Sequence, residues 1–155
     1  MKLITNNENK CVFASLAMLI VEDINMVEGW LKHYLPDATF PPPYDELPRV
    51  PDMISICAWL LGRNIALTPF PFDPQCTPHP SCPAKAVYEN PQGVFNARLA
   101  LGPGLIEGVV NGDRGHMVAW NGTTIYDPRG YCYSLNVSWK FDFEPAQFWL
   151  ATACQ

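Results

Sequence analysis

Three side chains of this 155-residue chain are of the types that run nucleophilic chemistry together: Cys11, His116 and Asp127. Cys11 stands where the polar stretch "NNENK" turns into the apolar run "CVFASLAMLI". A thiolate is a strong nucleophile, but a free thiol is mostly protonated at neutral pH. A helix N-terminus and a neighbouring imidazolium both favour the thiolate. The run that begins at Cys11 supplies the first. His116 opens "HMVAW" directly after the "NGDRG" turn, so a sheet would hold it while Gly115 leaves one side open. Asp127 closes the return run "TTIYDP". Between them, Asn121-Gly122 is the strongest hairpin signal in the chain. A two-residue turn there sets His116 directly opposite Asp127, with about 5 Å between their Cβ atoms. A carboxylate in that place fixes one imidazole tautomer and stabilises the charged ring. Each residue also has a plainer role: a buried thiol, a structural histidine, and the first residue of a "DPRG" turn.

Acyl chemistry also needs donors for a developing oxyanion. Asn6 and Asn7 lie just upstream of Cys11 and are the side-chain candidates. A solvated turn and helix cap is the alternative reading of the same residues.

The elements that must position these groups follow from periodicity. Cys11 to Val21 is apolar on every face, which describes a central, buried helix. "MVEGWLKHYL", Met26 to Leu35, reads as a second, amphipathic helix ended by Pro36. "PDMISICAWLLGRN" has a helix start at its Pro-Asp and a stop at Gly62. "NIALTPF" alternates like a strand. "GVFNARLALGPG" fits a short helix and a turn, and "LIEGVVNG" a strand. The hairpin follows, then "YCYSLNVSWKFDF" with one or two more strands. The terminal "PAQFWLATACQ" fits helix and strand alike. Two proline-rich loops, 36–51 and 71–92, interrupt the order. Helices first and strands last indicate an α+β fold with an antiparallel sheet. The length suits one domain, 1–155.

Composition narrows the function. Hydrophobic residues make up 48% and charged residues 16% of the chain, so it is able to build a core. A net charge of -5 and the lack of a Lys/Arg cluster argue against a nucleic-acid partner. The run from Val12 to Val21 is shorter than the roughly 20 residues that span a bilayer. Asn6, Glu8 and Asn9 separate Lys2 from that run, and no small-residue cleavage site follows it, unlike an export signal. A cytoplasmic protein with mostly reduced thiols is expected. Of the six cysteines, Cys76 and Cys82 alone look like a local pair. With His79 between them they form "CTPHPSC", a possible zinc or disulfide loop, but no fourth ligand lies nearby. No metal and no cofactor are therefore expected. His33 reads as a surface residue. Trp120 alternates onto the face of His116, and with Gly115 it is a candidate for the wall of a substrate cleft.

The ordered set of asparagine, cysteine at a helix start, histidine at a strand start and Asp-Pro resembles the papain-like cysteine peptidase superfamily. "NNENKCVFASLAML" is similar to ubiquitin-specific proteases, which carry an asparagine five residues before the cysteine, the place of Asn6. "GHMVAWNGTTIYDPRG" and "MISICAWLLGRNIALTPF" resemble segments of bacterial double-glycine leader peptidases. The chain departs from that second pattern at Thr5, where those enzymes have glutamine, and at Lys10 and Val12 around the cysteine. The resemblance implies a papain-like fold with a central helix packed on an antiparallel sheet. It also implies Cys11 as nucleophile, His116 as general base and Asp127 as its orienter. The oxyanion hole would be the Cys11 main-chain amide and Asn6 or Asn7. A monomeric peptidase or isopeptidase acting on a protein or peptide is expected, of the kind used as a bacterial or phage effector. Glutamine deamidation or transamidation uses the same machinery. An inactive papain-fold binding protein and a metal-organised interaction protein are the non-enzyme alternatives.

Overall fold

The computed structural model describes residues 1–5, 10–32, 51–71, 91–112, 114–134 and 143–154. Three helices come first: α1 (Cys11–Ile20), α2 (Ile24–Leu31) and α3 (Met53–Leu61). Strand β1 (Ile65–Pro71) and helix α4 (Pro91–Leu99) follow. The rest is sheet: β2 (Gly104–Val110), β3 (Arg114–Trp120), β4 (Thr124–Asp127), β5 (Tyr131–Ser134) and β6 (Phe143–Ala153). The fold is α+β, as the order of patterns predicts.

The helix starts have separate causes. Asp23 caps α2, its Oδ1 accepting from the Asn25 amide at 2.8 Å, so this helix begins two residues before the apolar pattern does. Asp52 caps α3 through the Ser55 amide at 2.7 Å. Such caps satisfy amides that the first helical turn leaves without partners. Among the described residues no side chain caps α1, whose N-cap position is Lys10. The Lys10 ammonium instead reaches Glu28 of α2 at 3.0 Å.

The sheet has six strands in the order β1-β6-β2-β3-β4-β5, every pairing antiparallel. The ambiguous C-terminal run is thus β6, an inner strand between β1 and β2. Alternation divides the sheet residues between two cores. Leu105 and Met117 face Phe13, Leu16 and Leu60 from the N-terminal helices. Ile106, Val118 and Phe148 face the other way, onto Phe95 and Leu99 of α4. Leu16, Ala14 and Ala17 of α1 are wholly buried. Full burial of a side chain such as Leu16 is worth about 1.5–3 kcal/mol. That burial fixes where the helix, and therefore Cys11, must lie.

Candidate active site

Cys11 is the first residue of α1, His116 lies in β3, and Asp127 ends β4. The His116 ring Nε2 is 2.8 Å from Asp127 Oδ1, and both side chains are buried. Nδ1 is then the ring nitrogen left to face the Cys11 thiol, which hydrogen-bonds His116.

The histidine and aspartate meet by a different register from the one expected. A turn at Asn121-Gly122 would have set them directly opposite. Instead Ala119 pairs with Tyr126 and Trp120 with Ile125, so the turn residues are Gly122 and Thr123. The Asn121 side chain explains the shift. Its Oδ1 accepts from the amides of Thr123 and Thr124 at 3.0 and 2.8 Å, which places Asn121 ahead of the turn rather than in it. Gly122, at φ 102°, takes the left-handed position. Continuing the register sets Asp127 across from Val118. Asp127 therefore reaches His116 diagonally, on the same sheet face.

The pairing of β3 with β4 stops at Ala119, and α1 takes over the vacated edge. The Ser15 hydroxyl of α1 donates to the Met117 carbonyl oxygen at 2.9 Å. The Met117 and Val12 main chains hydrogen-bond the Cys11 sulfur. A strand residue points its N–H and C=O to the same side. Met117 thus offers α1 the pair of groups that a longer β4 would have used. This docking sets the cysteine beside the strand that carries His116.

Electrostatics at the site are mutual. Burial opposes charge on Cys11, but the hydrogen bond and positive charge of His116 and the two main-chain contacts outweigh it, and the thiol pKa is lowered. Burial likewise opposes charge on His116, yet Asp127 and Cys11 raise its pKa. Asp127 is fully buried, which alone would raise its pKa, but His116 and Arg129 hold it down at about 2. The opposite shifts at Cys11 and His116 favour a thiolate–imidazolium pair. The N-terminus of α1, where Cys11 sits, acts in the same direction.

Some of the contributors were not singled out in the sequence. Arg129 forks onto the Asp127 carboxylate, with Nη2 to Oδ2 at 2.7 Å and Nε to Oδ2 at 3.0 Å. Its place in the "DPRG" turn, two residues after the aspartate, was the available signal. Phe143 sets its ring edge against the His116 ring, centroids 5.8 Å apart at 81°. It fits because Gly108, opposite His116 in β2, has no Cβ. A Cβ there would meet the Phe143 ring and the Glu144 carbonyl oxygen.

Of the cleft candidates, Gly115 is exposed, and a Cβ on it would meet nothing within 4 Å. Trp120 shares the face of His116 but belongs to the core. It is 3% exposed, and its indole N–H donates to the Leu99 carbonyl oxygen at 2.8 Å. It therefore does not wall an open cleft. Asn6 and Asn7 lie outside the described residues, as do His33, Cys76, His79 and Cys82. Among the described residues, no group of three or more histidine, cysteine, aspartate or glutamate side chains could hold a metal. No helix among them is long and apolar enough to cross a membrane. Comparison of the chain with protein-family models, curated proteins and solved structures finds no match.

Proposed function

We propose that the chain is a papain-like cysteine hydrolase that cleaves a peptide or isopeptide bond of a protein substrate. The Cys11 thiolate attacks the carbonyl carbon, and the His116 imidazolium gives its proton to the leaving amine as the C–N bond breaks. A thioester remains on Cys11. His116 then takes a proton from water, the hydroxide adds to the thioester, and cleavage of the C–S bond releases the acid and restores the thiolate. Asp127 holds the ring and steadies its charge throughout. The Cys11 amide is one of those that a first helical turn leaves without an intrahelical partner, and it serves as an oxyanion donor.

The observation that carries this reading is the chain of contacts Cys11–His116–Asp127, in which a half-buried thiol meets a buried imidazole held by a buried carboxylate. The experiment is alkylation by iodoacetamide at graded pH, with the modified cysteines mapped by mass spectrometry. Cys11 should react at mildly acidic pH, where Cys57 and Cys132, whose thiol pKa values lie above the ordinary value, stay protonated. The nucleophile assignment fails if Cys11 reacts no faster than those two. Release from a diverse fluorogenic peptide library, lost in Cys11→Ala, would establish turnover. A reactive Cys11 with no turnover on peptides or protein conjugates would favour the binding-protein reading.

A further inference from the structure

Asp127 faces two cations, and they compete for it. Its Oδ1 takes the His116 Nε2 at 2.8 Å and the Arg129 main-chain amide at 2.9 Å. The Arg129 guanidinium bridges both oxygens, from Nε at 3.2 and 3.0 Å and from Nη2 at 2.7 Å. The turn makes this possible. Asp127 pairs with Tyr131, so Pro128, Arg129 and Gly130 form a three-residue loop, with the Gly130 amide on the Asp127 carbonyl at 2.9 Å and Gly130 at φ 101°. Arg129 is thereby folded back over the aspartate that precedes it, with its guanidinium 5.9 Å from the Tyr131 ring.

We infer that Arg129 is a positioning residue that locks the Asp127 carboxylate and takes up part of its charge, so moderating how strongly Asp127 holds the His116 imidazolium. The inference rests on the proposed catalytic reading but has its own observable. A bidentate guanidinium spreads a carboxylate's charge over several donors. Without Arg129, the carboxylate would turn more of its charge on the imidazole, and a positive charge would leave the site. Protons would then bind more tightly to both His116 and Cys11. The titratable groups that meet His116 are Asp127 on β4 and Cys11 on α1, and Gly108 on β2 and Phe143 on β6 also face it. Tyr131 and Tyr133 of β5 act on Arg129, and burial and the charge of Asp127 push the Tyr133 hydroxyl pKa up.

The test compares the full-length chain with Arg129→Gln and Arg129→Lys. One readout is the His116 ring titration, followed by NMR. The other is the pH profile of Cys11 alkylation by iodoacetamide. Circular dichroism checks the fold. In Arg129→Gln both midpoints should move up by at least about half a pH unit. Arg129→Lys keeps the charge but loses the fork, and should fall between. Unmoved or lowered midpoints in folded Arg129→Gln would overturn the inference, whatever its effect on melting temperature. If the glutamine variant does not fold, the lysine variant decides in the same way. A His116 midpoint that responds to Arg129 while Cys11 shows no acidic thiolate would sink the catalytic reading and leave this one standing.

Discussion

Helices α1 and α3 have nearly the same composition. "CVFASLAMLI" and "MISICAWLL" are 10 and 9 residues long, and each carries one cysteine in an apolar run. Their thiols go opposite ways: burial raises the pKa of Cys57, whereas that of Cys11 falls. Three differences account for this. The N-terminus of α3 is closed by Asp52, and Cys57 sits at its middle. Lys10 at the N-cap of α1 makes no side-chain capping bond, Cys11 is the first residue of that helix, and His116 stands beside it. Apolar surroundings alone make a thiol inert. Reactivity comes from where the cysteine falls on the helix and from what the helix is docked against.

The comparison is broken most completely by His116→Ala. Without the imidazole, burial dominates Cys11 as it does Cys57. Alkylation of Cys11 at pH 6 should slow by about 100-fold or more, and turnover should fall by about 1,000-fold or more. Unchanged alkylation of Cys57 in the same sample is the internal control.

Asp127→Asn comes next. It leaves the His116 ring without its anion, so the Cys11 profile should move toward that of Cys57, and turnover should fall. It also alters acid stability. The folded pKa of Asp127 is depressed from 3.8 to about 2. Its contribution is therefore present in full above pH 3.8 and is lost as pH falls through 2. The contribution is about 2 kcal/mol. Urea unfolding at stepped pH should show wild type losing that amount in this window, and the variant lacking that part of the slope.

A smaller and sharper test gives α1 the cap that α3 already has. Lys10→Asp would put a capping carboxylate at the first-turn amides and set a negative charge beside Cys11. Alkylation at pH 6 should slow by about 3- to 10-fold. The reciprocal change, Asp52→Ala, should cost about 1 kcal/mol of stability and leave Cys11 reactivity untouched. Equal effects of the two variants on Cys11 would remove the helix-end argument.

The local parts of this picture were legible in the sequence. Apolar density marked α1, an Asn-Gly pair between alternating runs marked the hairpin, and residue type marked Cys11, His116 and Asp127. The register was not legible, because it turned on whether Asn121 acted as a turn residue or as a side-chain cap on the turn. The C-terminal run did not declare itself, since its identity as β6 depends on β1 and β2 lying on either side of it. Trp120 fell on the expected face, but alternation does not tell how deeply a residue is covered. Likewise, nothing short of the three-strand arrangement explains why Gly108 must be small for Phe143 to reach His116.

The docking of α1 on the free edge of β3 has a mechanical consequence. Met117 is bonded to His116 in the chain, and its main chain also takes the Ser15 hydroxyl and the Cys11 sulfur. Cys11 and His116 are thus bolted to one peptide segment, and a breathing motion of the sheet carries them together instead of prising them apart. The Met117 amide becomes a built-in gauge of that coupling. Its hydrogen exchange should slow as the thiolate forms, and should speed up in Ser15→Ala, where one of the two bolts is gone.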